Sequence, residues 1–456
     1  GAWAIYLLEE EDQPLDLWVE VKLCNAAAGL GAARFTNWDE WVARLEGEDR
    51  PQLLLIAPDG TEVARVDLVS DVEQKLTLAG DTGRKVGVVN LTAAADGQTG
   101  TYTLVPSTTV APMYLQIHES NLEKRMQQCG DAWVYGAGQY FRVPAGTRAF
   151  TIDVKAIAMR TPVEFTVRNQ AGEEQAHVEW AVTSDCRHSW ETIELDAGGP
   201  AVDEVWSITG IKPMATFLRF EGVPPYVAGS PGEVFAPGQF VDLPEIEQPE
   251  GDALYYVDGP PEMRQAAALP PGVGVKLSAA DDVPLLSETE GTVEMWVKDC
   301  RQHTDLRNRG LVRCGGLNLY RRINVGTYLY VGPGFQTGFV IPHGRWTHLA
   351  ATWRPVEGKP GKLELTIYAD GVRVGSSFPN IVTPEAGWTG TELLIPADAA
   401  GVFVDELRVS DVARYDASFD RPTAPFEADE HTSVLCRFDG DGTATVFGQE
   451  VALSEQ

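Results

Sequence analysis

The chain has 456 residues, of which 44% are hydrophobic and 22% charged, and its formal net charge at pH 7 is −30. That length predicts several domains, each able to bury a core of its own. The excess of acidic residues argues against nucleic acid and anionic membranes as partners, because both carry negative charge. No run of ~18 or more apolar residues occurs, so membrane insertion is not expected.

Residues 1–112 are dominated by short strand signals. PQLLLIAPDGTEVARVDL (51–68) contains two strand-like runs around a Pro-Asp-Gly turn, in which Gly60 supplies a positive φ. FTNWDEWVARLEGE (35–48) differs, because its aromatic residues and leucine fall near helical spacing. We therefore predict a small β-sandwich that contains one helix.

Residues 113–229 form a second strand-rich region. In AFTIDV (149–154) apolar and polar residues alternate, as they do in a strand with one buried face. The segment that follows, residues 230–250, is rich in proline and acidic residues and has no periodicity. Such a composition predicts a semi-rigid linker between domains.

Residues 251–456 form the third region. KLELTIYADGVRVGSS (362–377) alternates through two strands, and Ala369-Asp370-Gly371 is a strong hairpin signal between them. The predicted fold class is all-β, with three consecutive antiparallel β-sandwich domains of jelly-roll type. Their expected bounds are 1–112, 113–229 and 251–456.

The stretch GRWTHLAATW (344–353) predicts a strand whose two faces differ. Leu349, Ala351 and Trp353 share one apolar face, which should enter the core. Trp346 lies on the other, mixed face. It either helps to lock the sheet or presents a ring that could stack on the apolar side of a sugar.

The third region resembles the LamG-like jelly rolls of the concanavalin A-like lectin/glucanase superfamily. Four motifs carry this resemblance in the family's order: GTVEMWVK (291–298), GRWTHLAATW (344–353), IYADGVRVGS (367–376) and GVFVDELRVSDVARY (401–415). The resemblance implies a β-sandwich and, in many relatives, calcium at its rim. A shared fold does not by itself place a binding site.

Two shorter resemblances concern the rest of the chain. Residues 1–112 look like a pre-peptidase C-terminal domain, and residues 113–229 look like a galactose-binding-like jelly roll because of YFRVPAGTRAFTI (140–152). All three families are typical of secreted bacterial proteins. Together they imply an extracellular or cell-surface location.

Glucanases of this superfamily carry catalytic carboxylates at alternate positions of one strand. The nearest acidic strand here is VDELRVSD (404–411), where Asp405 and Glu406 are adjacent and are expected to point to opposite faces. Asp405 and Asp411 share a face but lie about 20 Å apart, too far for a catalytic pair. We therefore expect no catalytic centre of that kind.

The candidate ligand-binding residues are aromatic side chains and one arginine. Trp388 lies in the loop PEAGWTG (384–390), and Tyr328 and Tyr330 share one face of a strand. Arginine can engage acidic sugars or carboxylates, whereas ordinary cross-strand packing would also explain the tyrosines. The full set is Trp133, Tyr135, Tyr320, Arg321, Tyr328, Tyr330, Trp346 and Trp388.

FDGDGTATVFGQE (438–450) partly fits a calcium loop, with Asp439, Asp441 and Glu450 at positions one, three and twelve. Thr443 and Ala444 break the pattern where an oxygen ligand and a glycine are required. A β-turn is therefore favoured, and calcium is left open as the only cofactor suggested.

The chain has six cysteines and no C-x-x-C motif, which argues against a zinc ribbon or a thioredoxin-type site. Proximity in sequence makes Cys129–Cys186 and Cys300–Cys314 the candidate disulfides. Such bridges would fit an extracellular protein, and buried free thiols are the alternative.

From these features we expect a non-catalytic recognition or adhesion protein that binds a polysaccharide or glycoconjugate through aromatic residues. One alternative is a structural subunit of a matrix, sheath or filament, in which copies of the chain pair through strand edges. Another is a polysaccharide-degrading enzyme with an unfamiliar site.

Overall fold

The structure is a computed structural model of the chain. It describes the following residues: 4–8, 15–24, 38–46, 49–68, 77–79, 84–93, 100–106, 113–120, 127–129, 132–134, 138–156, 163–180, 190–212, 216–234, 247–279, 283–300, 308–322, 326–331, 334–337, 339, 341–342, 344–374, 380–399 and 401–455. Within these ranges no helix has the length and apolar character needed to cross a membrane.

The N-terminal elements form two four-stranded antiparallel sheets, with strand orders β1-β7-β3-β4 and β5-β6-β2-β8. The last strand of the second sheet begins at Met113, so this unit's strands continue past the predicted boundary at residue 112. The elements are β1 (Ala4–Leu8), β2 (Leu15–Cys24), α1 (Trp38–Ala43), β3 (Gln52–Ile56), β4 (Glu62–Asp67), β5 (Thr77–Ala79), β6 (Arg84–Ala93), β7 (Gly100–Pro106) and β8 (Met113–Ser120).

Two local predictions are confirmed in this unit. The Pro-Asp-Gly turn joins β3 to β4, with Gly60 at φ 87° and the Asp59 carboxylate accepting a hydrogen bond from the Thr61 N–H at 2.9 Å. The predicted helix is α1, and Trp41 is fully buried.

The middle elements form a four-stranded sheet, β10-β17-β12-β15, and a six-stranded sheet, β14-β13-β16-β11-β18-β9. Apolar residues of both sheets, among them Phe141, Ile152, Phe165 and Leu218, form one buried cluster, so the two sheets enclose a common core. The strands are β9 (Gln127–Cys129), β10 (Ala132–Val134), β11 (Gln139–Val143), β12 (Ala149–Ala156), β13 (Val163–Arg168), β14 (Glu174–Trp180), β15 (Glu191–Asp196), β16 (Glu204–Lys212), β17 (Thr216–Glu221) and β18 (Tyr226–Ala228).

The segment predicted as a linker is described at its two ends. A short 3-10 helix spans Pro231–Glu233. Residues 235–246 lie outside the described residues, and the division of the chain into three domains stays a prediction.

The C-terminal elements form a seven-stranded sheet, β26-β25-β24-β23-β31-β21-β36, and a larger sheet built on the path β29-β28-β27-β22-β32-β33-β34-β35, to which β19, β20 and β30 attach. A 3-10 helix spans Ala397–Ala399. The strands are β19 (Tyr255–Asp258), β20 (Gln265–Leu269), β21 (Val275–Ser278), β22 (Gly291–Asp299), β23 (Asn308–Cys314), β24 (Leu317–Arg322), β25 (Gly326–Val331), β26 (Gly334–Gln336), β27 (Trp346–Pro355), β28 (Leu363–Ala369), β29 (Val372–Val374), β30 (Ile381–Val382), β31 (Glu392–Ile395), β32 (Val402–Ser410), β33 (Thr432–Cys436), β34 (Thr443–Val446), β35 (Gln449–Ala452) and β36 (Ser454–Glu455).

The inner faces of these two sheets meet in one apolar core, to which Val293, Leu329 and Trp353 belong. Trp353 is fully buried, as its face of the strand predicts, and its indole N–H donates to the Ser287 carbonyl at 3.0 Å. Its ring fills the space where Gly291 would carry a Cβ, because such an atom would lie 2.2 Å from the indole. The chain is thus all-β in the way the alternation predicts.

The hairpin predicted at residues 369–371 joins β28 to β29. Asp370 and Gly371 both have positive φ, 48° and 76°, which is the conformation of a two-residue hairpin turn. The Asp370 carboxylate accepts hydrogen bonds from Arg345 at 2.8 Å and from the Trp41 indole at 3.2 Å. Helix α1 therefore packs on the end of the C-terminal sandwich.

Candidate functional site

The outer face of the seven-stranded sheet carries a row of three tyrosines with two polar residues beside it. These five residues are here called the open face: Arg313, Asn318, Tyr320, Tyr328 and Tyr330. Pairing of β24 with β25 places Tyr320 opposite Tyr328 and Asn318 opposite Tyr330, and β23 places Arg313 beside Asn318. Paired residues of an antiparallel sheet point to the same side. The alternate residues Leu319 and Leu329 point inward and are fully buried, which fixes the tyrosines outside.

The three tyrosines of the open face differ in what they offer to a ligand. The rings of Tyr320 and Tyr328 stack on each other, with centroids 4.8 Å apart and planes 10° from parallel. Tyr330 is 43% exposed, so part of its ring is accessible from the solvent. The stacked pair is a stiff support, and Tyr330 adds an accessible ring at its side.

Polar groups border the aromatic row. Arg313 donates to Asp398 at 2.8 Å. Within the described residues, Arg313 Nε and Asn318 Oδ1 have no hydrogen-bond partner, but both atoms are buried and do not face a ligand. The open face therefore combines an apolar surface with the partly exposed guanidinium of Arg313 beside it. Arg313 and Asn318 were not among the candidates from sequence. Asn318 shares the face of Tyr320 by alternation along β24, whereas Arg313 reaches the site through the pairing of β23 with β24, which no sequence signal specifies.

Arg321, a candidate from the sequence, is not on the open face. It follows Tyr320 by one position, so alternation turns its side chain inward, where it is 2% exposed. There its guanidinium lies 2.5 Å from the Asp299 carboxylate in a buried ion pair. The expectation that Arg321 engages an acidic ligand is therefore wrong.

Trp388 is also placed elsewhere than its loop position suggests. It is 4% exposed, and its ring meets that of Trp353 edge to face, with centroids 5.6 Å apart. Gly315 and Gly316 allow this fit, because a Cβ at either position would press on Trp388. Trp388 belongs to the core, and the expectation of an available ring is corrected.

Trp346 is half-buried on the outer face of the larger sheet. It packs there with Phe403, at a centroid distance of 6.5 Å, and with Cys300 and Ala268. In the middle unit, Trp133 lies in β10 opposite Phe217, and Tyr135 lies outside the described residues. Trp346 lies on the other sheet of the C-terminal sandwich from the tyrosine row.

The outer face of the larger sheet carries polar residues that are almost completely buried, here called the covered face: Glu294, Trp296, His348, Asp405 and Arg408. The covering segment, residues 411–431, has no helix or strand and lies over them. Its aromatic side chains make the contact. Phe419 and Phe426 lie 6.0 and 5.9 Å from the His348 ring.

Glu294 is the centre of the covered face. It is fully buried, and it accepts hydrogen bonds from Arg408 at 2.9 Å and from the Tyr415 hydroxyl at 2.7 Å, while His348 lies at 3.2 Å. Burial alone would raise the pKa of Glu294, but His348, Arg408 and Tyr415 outweigh it and hold the pKa below its usual value. The same contacts raise the pKa of Tyr415, first through burial and then through the charge of Glu294.

Asp405 and Glu406 lie at a β-bulge, and this corrects the expectation that they point to opposite faces. Glu406 has a φ of 49°, and the register between β22 and β32 slips there, so Leu407 takes the inward position. The Glu406 carboxylate accepts a hydrogen bond from the Phe426 N–H of the covering segment at 2.6 Å. Both carboxyls therefore lie on the outer side of the sheet.

The two carboxyls of the bulge hold their protons to unusually high pH. Burial raises the pKa of Asp405 to about 8, with the charges of Glu406 and Asp439 adding to it. Burial likewise raises the pKa of Glu406 to about 7. In the described part of the chain, Asp405 Oδ2, Trp296 Nε1 and His348 Nδ1 have no hydrogen-bond partner.

The predicted calcium loop is a β-hairpin, as the turn interpretation anticipates. β34 pairs with β35, and the Asp441 carboxylate accepts a hydrogen bond from the Thr443 N–H at 3.0 Å. Asp439 is half-buried, and Asp441 and Glu450 are exposed. Across the ranges described, no cluster of three or more His, Cys, Asp or Glu side chains is arranged to hold a metal ion. Calcium binding stays a prediction.

The predicted Cys300–Cys314 disulfide is wrong, because both thiols are free and buried. Cys300 follows β22 and packs outside the larger sheet, whereas Cys314 ends β23 and lies in the core between the sheets. Burial raises the pKa of each thiol to about 12, so neither is a ready nucleophile. For the second pair, Cys129 ends β9 and Cys186 lies outside the described residues.

Comparison with known proteins agrees with this architecture. Residues 273–418 match the sequence model of a family described as the Concanavalin A-like lectin/glucanases superfamily. No significant match to a curated protein was found. The match includes all residues of the open face and of the covered face, and a lectin-like domain is compatible with carbohydrate binding. Residues 273–418 of the C-terminal sandwich are thus similar to the Laminin G-type jelly rolls of the concanavalin A-like lectin/glucanase superfamily.

Proposed function

We propose that the chain is an extracellular recognition protein that binds glycans through the open face of its C-terminal sandwich. The observation that carries this proposal is the row of Tyr320, Tyr328 and Tyr330 on one face of a sheet, with Tyr330 43% exposed. An exposed aromatic ring on rigid backbone can stack on the apolar side of a sugar.

The polar residues beside the tyrosines add hydrogen bonding, which ring stacking does not provide. Hydroxyl groups of a sugar both donate and accept hydrogen bonds, and the partly exposed guanidinium of Arg313 is a donor close to the rings. One such face gives modest affinity, because association entropy opposes a small contact area. An extracellular polymer repeats its epitope, so several copies of the chain on one polymer would gain by avidity.

A glycan array with the full chain tests this proposal. We expect binding to one class of polysaccharide by the wild type and about tenfold weaker binding after Tyr330→Ala, because the exposed ring supplies the stacking contact. Phe447→Ala is the matched control, since Phe447 is a similarly exposed aromatic side chain on the β34–β35 turn. Repeating the array with calcium and with a chelator tests the predicted cofactor.

Equal binding by wild type and Tyr330→Ala would contradict the proposed face. Loss in Phe447→Ala with Tyr330→Ala unaffected would move the site to the other sheet. A chain that binds no glycan in either ionic condition would contradict carbohydrate recognition altogether.

A further inference from the structure

A small pocket lies where helix α1 and the residues after it meet the β28–β29 hairpin and the covering segment. Its volume is about 180 Å³, below the range of about 300–1,000 Å³ found for drug-sized ligands, so its size suits a small ion or molecule. None of its lining residues belongs to the open face. They are Trp41, Arg44, Leu45, Glu46, Asp49, Arg345, Asp370 and Arg421.

Arg345 is the buried cation of this pocket. Its side chain is 9% exposed, and its Nη1 donates to Asp370 at 2.8 Å. Its Nε lies 3.1 Å from the Asp49 carboxylate but is not aligned with it, so this nitrogen has no hydrogen-bond partner among the described residues. Within the same residues Nη2 donates no hydrogen bond either. A guanidinium has five N–H donors, so Arg345 keeps unused donors although it is nine-tenths buried.

The carboxylates beside Arg345 keep it charged without using up its donors. Burial alone would lower the pKa of Arg345, but the charges of Asp370 and Asp49 outweigh it and raise the pKa. Asp370 is itself occupied, because it also accepts hydrogen bonds from the Trp41 indole at 3.2 Å and from the His348 N–H at 3.0 Å. The capacity left over at this end of the pocket is therefore donor capacity.

A second guanidinium lines the pocket from the covering segment. Arg421 is half-buried, and its guanidinium lies 5.4 Å from the centroid of the Trp296 ring. Across the ranges described, Arg421 forms no ion pair and no side-chain hydrogen bond. The chain has 66 acidic and 36 basic residues, so this unpaired arginine does not reflect a shortage of carboxylates.

The walls of the pocket are fixed by contacts between the segments that form it. The Arg44 Nη1 donates to the Phe419 carbonyl of the covering segment at 2.5 Å, and the Trp41 indole reaches the hairpin at Asp370. Because these contacts already order the segments, a ligand would not have to order them when it binds.

Unused donors on two guanidiniums select an oxyanion as the ligand. Guanidinium groups bind carboxylates, phosphates and sulfates through paired N–H···O bonds. The net charge of −30 disfavours polyanions, but charges more than about 8 Å away are largely screened at physiological ionic strength. A small anion therefore responds mainly to the lining. There Glu46 and Asp49 oppose a second negative charge, which favours a singly charged carboxylate.

We propose that this pocket binds a small carboxylate between Arg345 and Arg421. Arg421 belongs to the covering segment and Arg345 directly precedes β27, so a bound carboxylate joins the two beside helix α1. The pocket is independent of the open face, and either site can fail without the other.

Equilibrium dialysis of the full chain against radiolabelled acetate, phosphate and sulfate, at constant ionic strength, tests the pocket. We expect saturable acetate binding, with one site per chain and an affinity of about millimolar. Arg421→Gln should weaken it about tenfold, and Arg421→Lys should weaken it less, because lysine keeps the charge and loses the planar fork. Arg373→Gln is the control, since it removes an equal charge from β29, where Arg373 pairs with Glu364 outside the pocket.

Acetate binding that falls in Arg421→Gln and not in Arg373→Gln supports the pocket. Absence of saturable acetate binding, equal weakening by both variants, or tighter binding of phosphate or sulfate than of acetate overturns the carboxylate site. Melting curves identify a variant that fails to fold, and Arg421→Lys, which keeps a cation over Trp296, then decides. Competition by glucuronate and by N-acetylglycine separates an acidic sugar from a polypeptide C-terminus as the carrier of the carboxylate.

Discussion

The two outer faces of the C-terminal sandwich carry similar types of residue, but one face is exposed and the other is buried. The open face places tyrosines and Arg313 at the surface, with Tyr330 43% exposed. The covered face places Glu294, His348 and Arg408 under the covering segment, where Glu294 and His348 are fully buried. Aromatic and charged side chains on a strand therefore do not mark a binding face by themselves. A face of this composition is available to a ligand only where no other segment of the chain covers it.

The largest effect is expected at the centre of the covered face. Glu294→Gln removes the charge that pairs with buried Arg408 and His348. Leaving a buried charge without its partner costs about 3–5 kcal/mol, so the free energy of unfolding should fall by that order in urea denaturation. Glu392→Gln is the control on the open side, because it breaks the exposed Lys276–Glu392 pair, and should cost less than about 1 kcal/mol. A similar decrease in the free energy of unfolding for both variants would contradict the proposed difference between the two faces.

The bulge should make stability depend on pH. Asp405 and Glu406 ionise near pH 4 when unfolded, but their pKa values in the folded chain are about 8 and about 7. Between those limits the folded state binds more protons, so these groups lower the free energy of unfolding as pH rises, by up to about 1.4 kcal/mol per pH unit for each. Asp405→Asn should therefore lose less stability than wild type between pH 5 and pH 8.

Chemical denaturation at several pH values measures this difference. Asp416→Asn, a change at an exposed position of the covering segment, should follow the wild-type curve. If Asp405→Asn also follows the wild-type curve, Asp405 is already ionised in the folded chain, which would contradict a raised pKa at the bulge.

A smaller effect is expected where the covering segment meets Glu294. Tyr415→Phe keeps the ring stacked on Phe419, with centroids 3.6 Å apart, and removes only the hydroxyl that donates to Glu294. A hydrogen bond to a charged group contributes about 1.5–3 kcal/mol, and thermal unfolding should show a loss of that order. No change in melting temperature would mean that stacking alone holds the segment in place.

The smallest effect on stability is expected on the open face. Tyr330→Ala removes a partly exposed side chain on the outer face of the sheet, on the side away from the core. Surface changes of this kind shift stability by about 0.5 kcal/mol or less, so the urea midpoint should be nearly unchanged while glycan binding falls. A large loss of stability would show that Tyr330 serves the sheet rather than a ligand.

Alternation along strands predicted much of this fold from the sequence alone. The buried position of Trp353, the Asp370-Gly371 hairpin and the shared face of Tyr328 and Tyr330 all follow from period two and turn chemistry. Applied strictly, the same rule would also have removed Arg321 from the site, because it neighbours an outward-facing Tyr320. The tyrosine row and Asn318, two positions before Tyr320, were therefore within reach of sequence analysis, whereas the position of Arg313 depends on the register between strands.

The remaining differences arise from contacts between distant segments. A bulge at Glu406 has no signature in VDELRVSD, yet it changes the side to which the carboxyl points. Trp388 lies in a loop by sequence but is drawn into the core by Trp353 and two glycines more than 70 residues earlier. The covering segment shows no periodicity, so nothing in its sequence alone indicates that it hides Glu294 and His348.

Hydroxyl-radical footprinting of the full chain, with and without a saturating glycan from the array, shows which face binds the glycan, because it reports the solvent exposure of individual aromatic side chains. We expect the glycan to protect Tyr330, with Tyr320 and Tyr328 at its side, while oxidation of Tyr415 and Phe426 on the covering segment stays as it was. Protection of Tyr415 or Phe426 with Tyr330 unchanged would contradict it.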